Sequence, residues 1–364
     1  MNILLITQED ILAGSTFSVS YLAKGLAAKG HTVIVVARPG SVLHHLMENS
    51  PVTFVPLSIK SRLDRHAIKI VATLVRHYDI QVINAQSSKD RYITVIARWW
   101  YRLPVVLLHT RRQISLSMGG FFQNLIYVKG TDKIVAVSDG VKRSLMEKQI
   151  PADHIAVVYN GTPTEKYNHL KPEVVQELSN RFSIVPQDIV IGCIARRKKQ
   201  DQLLKALDQI GRPVKVIFVG IREDEELKAI RASFQFPHQV YYEGEQEGAY
   251  ALHYYKLFTC TVLCSTTEGL SQGLLESMYL GTPVIATAAA GNLDLVQEGQ
   301  NGLLFPDADI AVLAQCIRSI IQDTDLRKKL IQGGITTASD TFSIDRTIHN
   351  YEKLYSELLS SRKF

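Results

Sequence analysis

Along the chain, short runs of Val, Ile and Leu alternate with longer stretches whose apolar residues recur every third or fourth position. The first pattern predicts buried strands and the second amphipathic helices. Strand-like runs fall near residues 2–7, 31–37, 52–57, 80–85, 104–109, 133–137 and 154–158. A second series falls near 189–195, 214–219, 239–243, 258–264, 284–287 and 303–305. Between the first two runs, Phe17, Val19, Leu22, Ala23 and Leu26 keep helical spacing, and Gly30 follows as a stop. Such alternation is the mark of βαβ units, and so of parallel sheets.

Residues 161–187 lack a strand and carry Pro163, Pro172 and Pro186, which predicts a connection between two domains. The expected division is 1–165, a linker at 166–187, a second domain at 188–340 and a final helix within 341–364. That helix carries Ile344, Ile348, Tyr351, Leu354, Tyr355 and Leu358 on one stripe. The stripe must pack on a body, and a return onto the first half is one placement it allows. The expected fold class is α/β, with two doubly wound, Rossmann-like domains. Ligands of such sheets bind beyond the carboxyl ends of the strands, so two such edges are expected to face each other across a cleft.

Composition narrows the classes. At 364 residues, 46% apolar and 21% charged, the chain has material for two cores and is not a disordered protein. Its four cysteines include no C-x-x-C pair, which fits a reduced, cytosolic setting. The apolar run at Met1–Thr7 meets Gln8-Glu9-Asp10 at once and is too short for an export signal. No stretch approaches the ~20 apolar residues of a membrane span. The net charge of +6 is uneven: residues 1–170 carry +9 and the remainder −3. A basic first half suggests an anionic partner, whether nucleic acid, an anionic membrane surface or a phosphorylated substrate. A solvated basic face is the plain alternative.

The densest chemistry lies between Cys264 and Phe305. A strand ends at Cys264, a loop runs to Leu270, a helix begins near Ser271, Gly281 ends it and Pro283 blocks its continuation. Gly269 can present bare backbone, and a helix amino end carries partial positive charge, so the pair suits a phosphate. Glu268 stands at the rim of that site and must face something else. Glu276 lies more than a turn into the helix and needs donors, which sugar hydroxyls supply. A second cluster, Arg196-Arg197-Lys198-Lys199, follows the first strand of the second domain at its carboxyl end. Cations there would neutralise a diphosphate through charge-assisted bonds. The alternative is an exposed basic face.

Glu268 and Glu276, with seven residues between them in E-G-L-S-Q-G-L-L-E, resemble the E-x7-E signature of the retaining glycosyltransferase family 4, whose fold is GT-B. Gly291-Asn292-Leu293-Asp294-Leu295-Val296 and Asn301-Gly302-Leu303-Leu304-Phe305 are similar to that family's next two blocks. The resemblance covers most of the chain. It implies that 1–165 is the acceptor-side domain and 188–340 the nucleotide-sugar domain. It implies that Glu268 contacts the donor sugar and Glu276 the nucleotide ribose, with backbone donors from Gly269, Leu270 and Ser271. The family's G-R-L…K-G block maps its Arg to Arg196 and its Lys to Lys198. This chain departs from it with Ala195 and Lys199 in place of glycines and a shorter spacer. Lys199 is a candidate substitute for Lys198, and Arg197 is expected to face solvent. A second glycine that the family has after Gly220 is replaced by Ile221-Arg222, and base choice is expected near Tyr242 and Gly244.

In the first half, Gly14-Ser15 resembles the family's glycine-rich loop at the sugar phosphate. No G-x-G-x-x-G follows Thr7, which argues against an NAD enzyme. The resemblance aims His109 at the donor sugar, a structural histidine being the alternative. Ser138 and Asn160-Gly161 fit architectural positions. Ser87-Ser88-Lys89-Asp90 and Thr110-Arg111-Arg112 resemble a bacterial subgroup associated with cell-surface saccharides, which makes Lys89, Arg111 and Arg112 candidates for an anionic acceptor. Arg98-Trp99-Trp100-Tyr101-Arg102 and Phe121-Phe122 mix cations with aromatics, as a bilayer-docking face does. A helix packed by Trp99 or Trp100 is the alternative. Asp307-Ala308-Asp309 and Asp323-Thr324-Asp325 look like D-x-D metal motifs, but helix capping explains them.

The reading is therefore a retaining hexosyltransferase that needs neither cofactor nor metal. It takes a sugar from a UDP- or GDP-type nucleotide donor to a hydroxyl of a saccharide or lipid-linked acceptor in cell-surface glycan synthesis. It is expected in the cytoplasm, with peripheral contact to an anionic membrane and none with nucleic acid, for which no recognition module is present. The rivals are a GT-B sugar-nucleotide epimerase or hydrolase, and a non-catalytic two-domain ligand binder.

Overall fold

The computed structural model describes residues 1–9, 14–113 and 120–361, with the side chains of residues 121–123 left aside. The expectation for Phe121-Phe122 therefore lies outside the described side chains. The chain forms two compact units, Met1–Pro163 with Ser343–Phe364, and Thr164–Phe342.

The first unit is built on a seven-stranded sheet: β1 (Asn2–Ile6), β2 (Thr32–Ala37), β3 (Thr53–Pro56), β4 (Val82–Ala85), β5 (Val106–Arg111), β6 (Lys133–Ala136) and β7 (Ile155–Val157). Their order is β3-β2-β1-β4-β5-β6-β7, and every pairing is parallel. The winding direction reverses between β1 and β4, the place where such sheets bind ligands. Alternate residues of β1 serve opposite faces, as a period of two requires. Ile3 and Leu5 pack with Leu22, Ala23 and Leu26 of the helix Gly14–Ala28, while Leu4 and Ile6 pack with Ile68, Val71 and Ile93.

The C-terminal helix Ile344–Ser361 belongs to this unit. Ile348, Tyr351 and Tyr355 join the core on the Ile3–Leu5 face. A Cβ on Gly25 would sit 2.0 Å from Cδ1 of Ile348, so a larger residue there would have to displace the Ile348 side chain between the two helices. Two phenol groups complete the seam. Asn84 Nδ2 donates to Tyr355 Oη at 2.8 Å, and the Thr110 and Tyr351 hydroxyls lie 3.2 Å apart.

The second unit holds β8 (Val190–Ile194), β9 (Lys215–Val219), β10 (Gln239–Tyr242), β11 (Cys260–Leu263), β12 (Val284–Thr287) and β13 (Leu303–Phe305), in the order β10-β9-β8-β11-β12-β13, again all parallel. Here the reversal lies between β8 and β11.

The division differs from the expected one. Residues 166–187 are not a free linker but part of the second unit. They carry the helix Pro172–Arg181, and Tyr167, Leu178 and Phe182 pack against Val190, Ile217 and Val219. Pro172 stands at the start of that helix, where proline's missing N–H costs nothing. Of the prolines that suggested a linker, Pro163 marks the boundary. The second crossing is adjacent to it, because Ile344 N donates to Thr162 O at 3.1 Å.

Candidate functional site

In the second unit the two motif loops leave neighbouring strands. Residues 195–199 follow β8 and residues 264–271 follow β11, so both lie at the carboxyl ends flanking the reversal. Gln200, almost fully buried, shapes the first loop. Its Oε1 accepts from Lys198 N at 2.7 Å and its Nε2 donates to Arg196 O at 2.8 Å. Lys199 N donates to Cys264 O at 3.3 Å and ties the two loops together.

The four cations of this loop have different partners. Arg197, expected in solvent, is engaged by three carboxylates: Asp224 at 2.7 Å, Glu226 at 2.6 Å and Asp201 at 3.8 Å. Lys199 is bound to Asp307 at 2.5 Å. Arg196 is exposed and has no ion pair among the described residues. Lys198 pairs with Glu268 across the loops. Burial, with the Arg196 charge acting in the same direction, pushes the Lys198 ammonium down to about 8.

Gly269 and Leu270 are buried. The turn is held from behind, since Gly291 N donates to Glu268 O at 3.0 Å and a Cβ on Gly291 would collide with Gly269 O. Asn292 Nδ2 donates to Ser265 O and Thr287 O, fixing the base of the loop. Ser271 caps the helix Gln272–Tyr279, its hydroxyl accepting from Leu274 N. Glu276 has found donors inside the unit. Lys166 Nζ lies 2.7 Å from its Oε1, and Tyr255 Oη donates to its Oε2 at 3.2 Å. Burial and this carboxylate hold the Tyr255 phenol well above its usual pKa, so it remains a donor. Lys166 and Tyr255 carried no sequence signal, because neither belongs to the motif. Asp309 and Asp323 cap the helices Ile310–Gln322 and Thr324–Thr336.

In the first unit, Gly14 and Ser15 open the helix Gly14–Ala28 rather than lying in a loop. The Ser15 hydroxyl is buried with no hydrogen-bond partner among the described residues. Lys89 sits in the first turn of the helix Ser88–Tyr101. His109 and Arg111 lie near the carboxyl end of β5, and Arg112 follows it. Arg112 is clamped, Nη1 donating to Asn160 Oδ1 at 2.8 Å and Nη2 to Gln86 Oε1 at 2.9 Å. His109 is fully buried, with Nδ1 2.9 Å from Ala85 O. Burial and the charges of Arg91 and Arg111 hold its pKa well below the usual imidazole value. The ring is therefore neutral, Nδ1–H donates to the carbonyl, and Nε2 keeps a bare lone pair. Arg91, which the sequence did not single out, is 2% exposed, with its guanidinium carbon 3.5 Å from the Tyr127 ring centroid.

In the aromatic-cationic segment Trp100 is 61% and Trp99 48% exposed, and Trp99 lines an apolar groove with Leu63, Tyr92, Val95, Ile96 and Ile126. Arg98 is committed to Asp132 through two bonds of 2.8 and 3.0 Å. No helix among the described residues is long and apolar enough to cross a membrane.

Residues 13–166 match the family described as Glycosyltransferase Family 4, and residues 180–337 match Glycosyl transferases group 1. An uncharacterized glycosyltransferase of Methanocaldococcus jannaschii, MJ1069, is 24% identical over 238 residues, covering 64% of this chain and only 60% of its own length. The capsular polysaccharide biosynthesis glycosyltransferase CapM of Staphylococcus aureus is 23% identical over 301 residues, 76% of this chain and 77% of its own. The crystal structure of a glycosyltransferase from Rickettsia africae superposes with a TM-score of 0.87 at 20% identity, covering 99% of both chains. Anabaena Alr3699/HepE in complex with UDP superposes with a TM-score of 0.83 at 21% identity, covering 98% of this chain and 100% of that one. These likenesses show the fold: the two parallel sheets are the Rossmann-like halves of the GT-B architecture.

Proposed function

The chain belongs to the family 4 glycosyltransferases, with the GT-B fold, and on that premise we propose a metal-independent hexosyl transfer with retention of configuration. The donor is a nucleoside diphosphate sugar, and the acceptor is a hydroxyl of a saccharide or lipid-linked glycan bound for the bacterial cell surface. The carrying observation is the Lys198–Glu268 pair between the loops after β8 and β11. It joins a cation suited to the diphosphate to a carboxylate suited to sugar hydroxyls, beside the exposed Arg196. The likeness to CapM supports a capsule-type product, and the likeness to HepE, which was solved in complex with UDP, supports a nucleotide donor.

In the proposed reaction the bond between the anomeric carbon and the β-phosphate oxygen breaks, and its electron pair leaves with the diphosphate. The acceptor oxygen bonds to the same face of the anomeric carbon, and its proton passes to the departing phosphate. Negative charge grows on the leaving group as positive charge grows on the sugar. Arg196 and Lys198 stabilise the first, and Glu268 the second. Gly269, Leu270 and Ser271 offer backbone to the diphosphate, Gly14 and Ser15 approach the sugar phosphate, and Glu276 holds the ribose.

The test is a thermal-shift panel of nucleotides, followed by a product assay with acceptor present and absent, and by NMR of the anomeric proton. A donor consumed only with acceptor, in the presence of chelator and with retained configuration, supports the reading. Conversion of the donor without acceptor sinks it in favour of an epimerase or hydrolase. Binding without turnover favours a ligand binder.

The same proposal includes peripheral docking on an anionic bilayer through Trp99, Trp100 and Leu63, which is 68% exposed, with Arg62 beside the groove. Flotation with phosphatidylglycerol vesicles, lost in Trp99→Ala/Trp100→Ala and absent with phosphatidylcholine, is the expected result. Equal flotation of the variant would refute this face.

A further inference from the structure

Resting on the proposed transfer for the identity of its substrates, we infer that the first unit binds a sugar bearing an oxyanion, a carboxylate or phosphate, through Arg91 and Arg111, with a hydroxyl of that sugar donating to His109. The inference starts from guanidinium charge that no carboxylate among the described residues pairs with directly. Arg91 is 2% exposed, and its Nε and Nη1 find no hydrogen-bond partner among the described residues. No described carboxylate pairs with Arg91 or Arg111. Asp90, its neighbour in sequence, turns to the helix start, Oδ2 accepting from Ser87 N at 2.9 Å. Glu9 is the carboxylate whose charge bears on Arg111, and it is exposed. A guanidinium buried without a counter-ion is strongly unfavourable, so such groups are kept where an anion arrives.

The geometry gathers these groups around one ring. Tyr127 stacks on the Arg91 guanidinium at 3.5 Å and contacts His109 at 5.8 Å between centroids. His109 and Arg111 stand two residues apart on β5, so their side chains leave the same face of the sheet. The electrostatic influence of both arginines on His109 places all three within one field. Nε and Nη1 of Arg91 are the donors left without a partner among the described residues, and oxyanion acceptors of a carboxylate or phosphate would satisfy them. His109 adds the opposite requirement. Its Nε2 is a buried acceptor without a donor, so an inorganic anion alone does not complete the set, whereas a hydroxylated one does. Two substrates of the transfer carry such a group: a donor whose sugar is a uronate, or an acceptor that is a sugar phosphate.

The experiment uses the full chain and follows thermal unfolding with glucuronate, glucose 6-phosphate, glucose and inorganic phosphate. Stabilisation by a charged sugar at concentrations where glucose has no effect is expected. Arg91→Lys and Arg111→Gln should each weaken that binding at least tenfold, and His109→Phe should reduce the advantage of the charged sugar over inorganic phosphate. Arg111 is partly exposed, so its variant keeps the test valid if the buried Arg91 variant fails to fold. Arg196→Gln should leave these affinities unchanged. Rate assays then assign the source. A loss confined to UDP-glucuronate against UDP-glucose places the anion on the donor, and a loss confined to a sugar-phosphate acceptor places it there. Binding that is indifferent to Arg91 and Arg111, or that disappears with Arg196 alone, overturns the inference. Nucleotide binding would remain intact in that case, so the proposed transfer stands or falls separately.

Discussion

Lys166 and Glu276 form an ion pair of 2.7 Å across 110 residues of sequence, and it occupies the carboxylate that the ribose is proposed to use. Tyr255 holds the other oxygen. Glu276 is thus oriented before any nucleotide arrives, and a ribose hydroxyl can join the pair without reorienting the carboxylate.

Replacing Glu276 by Ala should weaken UDP or GDP binding by about 10-fold or more, since bonds to a charged group are worth roughly 1.5–3 kcal/mol. Titration calorimetry reads this directly. Unchanged affinity would remove Glu276 from the nucleotide site.

Arg196→Ala and Lys198→Ala should each lower kcat by roughly 100-fold or more, the scale seen when one donor to a developing charge is lost. They should differ in stability. Arg196 is exposed and unpaired among the described residues, so its loss should leave the melting point unchanged. Lys198→Ala strands the Glu268 carboxylate, which is 16% exposed, and should cost about 1–3 kcal/mol. Paired kinetic and unfolding measurements separate the two.

With its pKa pushed down to about 8, Lys198 loses its charge as pH rises through that value. The rate should therefore decline on the alkaline side of about pH 8. Lys198→Arg, which stays protonated there, should flatten that limb of the kcat/KM profile; a limb unmoved by the substitution would assign it elsewhere.

Asp90 supplies a stability prediction of opposite sign to that of most carboxylates. Burial pushes its pKa up to about 7 from 3.8, so the folded chain keeps a proton that the unfolded chain releases. Stability must then fall as pH rises from about 4 to about 7, by at most about 4 kcal/mol. Asp90→Asn should match the natural chain near pH 4 and exceed it at pH 8 in urea unfolding. Equal stability at both values would exclude a protonated Asp90.

The C-terminal helix is fastened by Tyr355 to Asn84 at 2.8 Å, beside the strand end that carries His109. Tyr355→Phe should cost about 1–3 kcal/mol, because it leaves a buried amide N–H unsatisfied. Gly25→Leu should cost more, since the added side chain meets Ile348. Calorimetric unfolding checks both.

The alternation of strand and helix was readable from the chain because side-chain direction repeats locally, every second residue in β1 and every third or fourth in the helix Gly14–Ala28. The same local logic placed Arg196–Lys199 and Glu268–Ser271 at strand ends, and put Gly281 and Ser271 at the limits of one helix. Pairing is not local. Which of four adjacent cations stays unpaired among the described residues was decided by Asp224, Glu226, Glu268 and Asp307, the last 108 residues from Lys199. Tertiary packing likewise gave Glu276 its donors, drew residues 166–187 into the second unit through Tyr167 and Phe182, and buried Arg91 against Tyr127. Periodicity records which way a side chain points from its own backbone, whereas charge balance depends on which distant segment folds against it.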